Sequence, residues 1–136
     1  MPTVAIVEDD PKTSRLLSSL LAEIGFTCVL QCANAEMAKE KLPGLSPEIV
    51  LMDIDLPKTN GIECVRHLKP RMLKTHFVML TVYEDANSIY DALAAGAVGY
   101  LLKRDAPSNL GASLAEVIAG GSPMSSCVAR KVVLSF

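Results

Sequence analysis

The chain has 136 residues, of which 50% are hydrophobic and 21% are charged. This length and composition predict one globular domain and exclude a disordered chain and a coiled coil, which are poorer in apolar or richer in charged residues. The 13 basic and 15 acidic residues give a net charge of −2, which argues against a dedicated nucleic-acid-binding surface within these residues.

Five apolar segments are predicted to form β-strands. In chain order they are Thr3–Val7, Thr27–Cys32, Glu48–Met52, His76–Thr81 and Ala97–Leu102. Several of them are apolar at nearly every position, as strands are when helices cover both faces of a parallel sheet. The strands therefore predict the interior of an α/β fold.

Helical patterns separate and follow these strands. They cover Pro11–Ile24, Asn34–Leu42, Gly61–Lys69, Asn87–Ala95 and Ser108–Ala119. Asn34 and Ser108 are helix-capping residue types, and Pro43-Gly44 and Gly120-Gly121 are typical of residues that follow a helix. The alternation of five strands with five helices predicts a (βα)5 unit with right-handed crossovers.

The residues after Gly121 do not continue this alternation. Val128, Val132 and Val133 have helical spacing, but no strand pattern accompanies them. We expect a first domain over residues 1–120. Over residues 121–136 we expect a linker or an extra helix that leads to another part of a longer protein.

No targeting or membrane segment is predicted. Glu8, Asp9 and Asp10 come early in the chain, where a secretory signal would have basic and then apolar residues. The apolar stretch Leu93–Leu102 is about half as long as a membrane-spanning helix. The four cysteines are interpreted as small apolar residues in a reducing compartment, so a cytoplasmic location is expected.

Polar residues stand at the ends of four predicted strands. Glu8-Asp9-Asp10 follows the first strand, Asp53-Ile54-Asp55 the third and Lys103 the fifth, while Thr81 ends the fourth. In open α/β sheets, ligands bind at the carboxyl ends of the strands. Each residue alone is compatible with an ordinary cap, loop or surface position, but the fold predicts that all four strand ends meet.

A cluster of carboxylates at one sheet edge requires compensation. Two carboxylates about 5 Å apart repel by roughly 3 kcal/mol at an effective dielectric constant near 20, a large share of a folding stability of about 5–15 kcal/mol. Mg²⁺, which prefers oxygen ligands, is expected to neutralise the acids unless their pKa values rise. The Lys103 ammonium and the Thr81 hydroxyl would then contact an anion.

Four segments at these strand ends occur in a characteristic order and spacing. They are Val7-Glu8-Asp9-Asp10-Pro11, Val50–Pro57 with Asn60-Gly61, Met79-Leu80-Thr81, and Gly99–Lys103. As a set they resemble the receiver domain of two-component response regulators, over residues 1 to about 120. The resemblance implies a flavodoxin-like, doubly wound parallel sheet with strand order 2-1-3-4-5. It also implies a phosphoacceptor that is not a turnover enzyme.

The resemblance assigns roles to the acids and the lysine. Asp53 would accept a phosphoryl group from the phosphohistidine of a sensor histidine kinase. Asp9 and Asp53 would bind Mg²⁺ directly, together with the backbone carbonyl of Asp55, and Glu8 would act mostly through water. Lys103 would pair with Asp53 and then with its phosphoryl group.

The resemblance also implies a conformational switch. Phosphorylation takes the acceptor from a charge of about −1 to nearly −2 and adds strong hydrogen-bond acceptors. Thr81 would move toward the phosphoryl oxygens, and Tyr100 would rotate inward behind it. The face formed by the fourth helix, the fifth strand and the fifth helix would then change.

The tail resembles the linker of one subfamily. Ala119–Ser125 and Val128–Val132 are similar to the segment that joins a receiver domain to a LuxR-type helix-turn-helix domain. This implies a transcription-regulating output, a homodimer on phosphorylation and contact with DNA only through a domain outside these 136 residues. No contact with a membrane is expected.

Two positions differ from the usual family pattern. Arg104 follows Lys103, where many receiver domains have Pro. Val82 follows Thr81, where Ala, Gly or Ser is common, and Tyr83 comes next. We expect the larger side chains beside Thr81 to slow the entry of small phosphodonors or water without removing the chemistry.

Two alternatives have different consequences. Asp53 and Asp55 resemble the nucleophile and general acid of haloacid-dehalogenase-type phosphatases, but Pro57 stands where that family usually has Thr or Val. Such an enzyme would turn over phosphate esters, whereas a receiver domain would not. The other alternative is a receiver-like interaction module that is never phosphorylated, although such modules usually lack one of the residues that this chain keeps.

Overall fold

The strands of the protein all run parallel in a single sheet. A computed structural model describes residues 2–136, which contain β1 (Thr3–Val7), β2 (Thr27–Cys32), β3 (Ile49–Met52), β4 (His76–Thr81) and β5 (Gly99–Leu102). Their order in the sheet is β2-β1-β3-β4-β5. The predicted doubly wound, flavodoxin-like (βα)5 architecture is confirmed.

Helices cover both faces of this sheet. They are α1 (Pro11–Glu23), α2 (Ala35–Leu45), α3 (Gly61–Leu68), α4 (Ala86–Ala95), α5 (Ala106–Ile118) and α6 (Ser126–Leu134). Alternate strand residues enter two separate apolar cores: α2, α3 and α4 cover one face, and α1 and α5 cover the other. Within residues 2–136, no helix combines the length and hydrophobicity needed to cross a membrane.

The end of α2 differs from its prediction. The helix continues through Pro43 to Leu45 instead of ending at Leu42. Proline has no N–H to donate, and its ring crowds the carbonyl four residues earlier, but α2 continues for only two residues beyond Pro43. At the end of the helix, the Leu42 carbonyl accepts a hydrogen bond from the Ser46 N–H at 2.9 Å. Ser46 has a left-handed φ of 44° and closes the helix.

Two other boundaries differ from their predictions by two residues. α5 begins at Ala106, so Ser108 lies inside the helix rather than at its cap; Pro107 occupies the first turn, where no N–H is needed. β5 begins at Gly99 rather than Ala97 because the Ala97 N–H bonds back to the Ala92 carbonyl of α4 at 3.1 Å.

The segment after α5 packs against the sheet. Met124 lies beside Tyr100 in a parallel bridge at the outer edge of β5. The Tyr100 N–H donates to the Pro123 carbonyl at 3.0 Å, and the Ser125 N–H donates to the Tyr100 carbonyl at 3.2 Å. The sequence pattern predicted no strand pairing here, because backbone pairing at a sheet edge places few demands on residue type.

Gly61 brings the start of α3 against the end of β3. Its N–H donates to the Ile54 carbonyl at 2.9 Å, and Asn60 caps the helix by accepting the Glu63 N–H at 2.9 Å. A Cβ atom at Gly61 would lie 1.8 Å from the Asp53 carbonyl oxygen. Only glycine therefore allows the loop to fold this closely over Asp53.

We predict that Gly61→Ala lowers the free energy of unfolding by about 3 kcal/mol, because the backbone around Asp53 must move to admit the methyl group. Gly44→Ala is the matched control: it lies inside α2 with no atom within 4 Å of a Cβ, and it should leave stability unchanged or raise it by up to about 1 kcal/mol. Urea unfolding measures both. Equal stability of the two variants would contradict the close approach.

Candidate functional site

The carboxyl ends of β1 and β3 place three acids together. One carboxylate oxygen from each of Glu8, Asp9 and Asp53 lies within 4.8 Å of the other two. Glu8 and Asp53 are each 4% exposed, whereas Asp9 is exposed. Oxygen ligands in this number, with one side open to solvent, suit a hydrated Mg²⁺ ion.

Lys103 bridges the two buried acids. Its Nζ atom lies 2.6 Å from Glu8 Oε1 and 3.0 Å from Asp53 Oδ2. Burial by itself lowers the pKa of the lysine, but its contacts with the two carboxylates outweigh that effect and raise the pKa. Lys103 is therefore a cation held at the site. The pairing with Glu8 had no sequence signal beyond the shared sheet edge.

The hydrogen-bonding capacity of the Glu8 carboxylate is only partly used. Burial raises its pKa, while Lys103 and the Asp10 N–H oppose the rise. Its Oε2 atom accepts the Asp10 N–H at 3.1 Å. Within residues 2–136, Oε1 has the ion pair with Lys103 but no hydrogen bond of suitable geometry. A buried carboxylate oxygen with spare capacity fits a site that receives a cation or its bound water.

Asp10 and Asp55, the other two acids at these strand ends, do not join the three-acid cluster. Asp10 caps α1: its Oδ2 atom accepts the Thr13 hydroxyl at 2.6 Å and the Thr13 N–H at 3.3 Å. These bonds lower the pKa of Asp10. Asp55 has an exposed side chain, and its N–H lies 3.4 Å from Asp53 Oδ1. Asp55 thus approaches the site through its backbone.

Thr81 and Tyr100 are linked through one residue of the β4–α4 loop. Thr81 Oγ1 accepts the Tyr83 N–H at 3.2 Å, and Tyr100 Oη donates to the Tyr83 carbonyl at 2.9 Å. Tyr100 is fully buried, and this burial raises the pKa of its hydroxyl. Residues 123–125 pair through their backbone with the strand that carries Tyr100.

The sequence comparisons agree with this arrangement. Residues 4–115 match the model of the response regulator receiver domain. The chain is 34% identical over 118 residues to the transcriptional regulatory protein LnrK of Bacillus subtilis, covering 85% of this chain and 54% of that protein. It is 29% identical over 119 residues to the nitrate/nitrite response regulator protein NarL of Escherichia coli K12, covering 87% and 55%. The chain thus spans about half the length of these curated relatives.

Solved structures have the same fold. A LuxR-family two-component response regulator from Aurantimonas sp. SI85-9A1 superposes with a TM-score of 0.92 at 27% identity, covering 98% of this chain and 96% of that one. The isolated receiver domain of RcsB from Salmonella enterica, in the presence of phosphomimetic BeF3⁻, gives 0.87 at 22% identity, covering 96% and 97%. The second likeness shows the fold alone.

We predict that Lys103→Met lowers the free energy of unfolding by about 3 kcal/mol, because it leaves two buried carboxylates without their cation. Mg²⁺ should restore part of this loss. Lys12→Met is the control, since Lys12 is exposed on α1 and pairs with no acid among residues 2–136. Urea unfolding with and without Mg²⁺ measures both variants. Equal losses of stability would show that Lys103 does not compensate these acids.

Proposed function

Because the chain belongs to the response regulator receiver domain family, we propose that Asp53 accepts a phosphoryl group from the phosphohistidine of a sensor histidine kinase. The observation that carries this proposal is the pairing of a buried acceptor carboxylate with a lysine, beside two further acids. In the transfer, the phosphorus–nitrogen bond breaks and a phosphorus–oxygen bond to Asp53 forms.

We expect Asp9, Asp53 and the Asp55 backbone carbonyl to hold Mg²⁺, with Glu8 acting mostly through water. The available ligand atoms support this, because they are carboxylate oxygens. One of them, Glu8 Oε1, is buried and has no hydrogen-bond partner within residues 2–136. When bound, the ion neutralises the carboxylates and the phosphoryl oxygens. Such neutralisation allows an anionic carboxylate to attack an anionic phosphoryl group.

Lys103 has a double role in this proposal. Before transfer it compensates Glu8 and Asp53 together. Phosphorylation adds charge and acceptor oxygens at Asp53, so the ammonium gains a stronger partner there and its contact with Glu8 weakens. Thr81 would donate a hydrogen bond from its hydroxyl to a phosphoryl oxygen. Within residues 2–136 that hydroxyl accepts a hydrogen bond from the Tyr83 N–H but donates none.

The family is generally not one of turnover enzymes, and we propose that this chain only assists its own phosphorylation and hydrolysis. The phosphatase alternative needs Asp55 as a general acid, but its side chain is exposed while Asp53 is buried. Val82 is 64% exposed and Tyr83 39% exposed beside Thr81. Slower entry of water and small phosphodonors past these two side chains stays an expectation.

The output is proposed from the relatives. NarL is a response regulator, and LnrK is a transcriptional regulatory protein. RcsB has been solved as two dimers bound to two parallel DNAs, a structure that shares 22% sequence identity with this chain. We propose that phosphorylation promotes a homodimer by changing the α4–β5–α5 face. Transcription would be regulated in the cytoplasm through a DNA-binding domain outside these residues.

We predict that Asp53→Asn abolishes covalent labelling by acetyl phosphate in the presence of Mg²⁺ while the protein stays folded. The amide cannot serve as the nucleophile. Asp55→Asn is the matched control, because that side chain is exposed and its proposed role is carried by the backbone; it should still be labelled at Asp53. Intact-protein mass spectrometry and circular dichroism measure labelling and folding. Undiminished labelling of Asp53→Asn would overturn the assignment.

We predict that Asp9→Ala loses most of the affinity for Mg²⁺. Asp9 is the exposed member of the three-acid cluster, so its removal takes away a ligand without opening a cavity in the core. Asp10→Ala is the control, because Asp10 bonds to Thr13 instead; it should destabilise α1 by about 1 kcal/mol but retain Mg²⁺. Titration with Mg²⁺ followed by NMR measures the affinity of both variants. Equal affinities in the two variants would place the ion elsewhere.

A further inference from the structure

Helix α6 is anchored beside the strand that carries Tyr100 and Lys103. Val128 is fully buried and joins the apolar core that α4 also lines. Before the helix, the Ser125 hydroxyl accepts the Leu102 N–H at 3.0 Å, in addition to the backbone bonds of residues 123–125 with Tyr100. Tyr90 of α4 donates to the Lys131 carbonyl at 3.4 Å. The helix therefore has a fixed position relative to β5 and α4.

From this position α6 holds the β4–α4 loop at Glu84. The Lys131 ammonium donates to the Glu84 carbonyl. Arg104 Nη1 donates to Glu84 Oε2 at 2.8 Å, and Arg104 Nη2 lies 3.5 Å from Cys127 Sγ on α6. Both the backbone and the side chain of Glu84 are thus held, the backbone by α6 itself.

The residue before Glu84 contacts the proposed switch residues. The Tyr83 N–H donates to Thr81 Oγ1, and the Tyr83 carbonyl accepts Tyr100 Oη. A threonine hydroxyl that accepts one hydrogen bond still has its own proton to donate. Holding the loop at Glu84 therefore orients the Thr81 hydroxyl while leaving its proton free.

Resting on the proposed function, we propose that Lys131 is a positioning residue for phosphoryl binding at Asp53. It acts through the Glu84 carbonyl and the Tyr83 N–H on the Thr81 hydroxyl. Lys131 does not contact the phosphoryl group. Instead, it selects the loop arrangement in which Thr81 is ready to donate.

Binding couplings are reciprocal. If docking of α6 favours the anion at Asp53, then the anion must favour docking of α6 by the same factor. Occupation of the phosphoryl site is therefore transmitted to α6, which lies at the end of the chain where the proposed output domain would follow. The path consists of two hydrogen bonds, from the Tyr83 N–H to Thr81 Oγ1 and from Lys131 Nζ to the Glu84 carbonyl, joined by the chain between Tyr83 and Glu84.

The test uses beryllofluoride with Mg²⁺ as the probe and compares Lys131→Met with Arg130→Met. Both substitutions remove one positive charge from neighbouring positions of α6, but Arg130 is exposed and has no hydrogen bond or ion pair within residues 2–136. We expect Lys131→Met to weaken beryllofluoride binding about five-fold or more, at the lower end of common couplings between sites. Arg130→Met should bind as the unchanged chain does, and Lys131→Arg should restore most of the affinity.

A second arm separates positioning from general stability. Because Lys131 acts through Thr81, adding Lys131→Met to Thr81→Ala should cause no further loss of beryllofluoride affinity. In the unchanged chain, beryllofluoride should slow hydrogen exchange at the α6 amides, and in Thr81→Ala this protection should shrink. Additive losses in the double variant, or α6 exchange that ignores beryllofluoride, would overturn the proposal.

The outcomes also distinguish this proposal from the proposed function. If the unchanged chain and Asp53→Asn bind beryllofluoride equally, the phosphoacceptor assignment fails. If binding requires Asp53 but Lys131→Met and Arg130→Met have the same affinity, only the role of Lys131 fails. Tighter binding by Lys131→Met would reverse the sign of the coupling and likewise overturn it.

Discussion

The site depends on one lysine placed between two buried carboxylates. Lys103 Nζ lies within 3.0 Å of oxygen atoms from both Glu8 and Asp53, which are almost inaccessible to solvent. A buried carboxylate is strongly disfavoured unless it is paired. With a single ammonium shared by two acids, and Asp9 close by, the cluster retains excess negative charge. The charge balance that allows the chain to fold therefore also leaves a place for a divalent cation.

The sheet topology converts this balance into a site. Glu8 and Asp9 follow β1, Asp53 follows β3 and Lys103 follows β5, all at the same sheet edge. Gly61 lets the loop after β3 close over the Asp53 backbone. β4 adds Thr81, and Tyr83 of the β4–α4 loop connects it to Tyr100. In the proposed function, a change of charge at Asp53 would act on Lys103, its direct partner, and on the Thr81 hydroxyl, whose hydrogen bond reaches the β4–α4 loop.

The parallel (βα)5 unit and the meeting of the acids at one sheet edge could be predicted because both follow from the alternation of apolar strands and amphipathic helices. The strand order was predicted from the resemblance to receiver domains. Local departures from these patterns could not be predicted from the sequence. Pro43 lies inside α2, near its end, although proline normally disfavours a helix interior. The docking of Met124 beside Tyr100 uses backbone groups, and Lys131 contacts a carbonyl, so neither leaves a residue pattern.

The most direct test of the phosphoacceptor site is a crystal structure of this chain with Mg²⁺ and beryllofluoride. We predict beryllofluoride on an Asp53 oxygen, Mg²⁺ bound by Asp9, Asp53 and the Asp55 carbonyl, and Lys103 Nζ against a fluorine rather than 2.6 Å from Glu8 as it is here. Beryllofluoride absent from Asp53 under saturating conditions, or Mg²⁺ bound away from these three residues, would contradict the central claim.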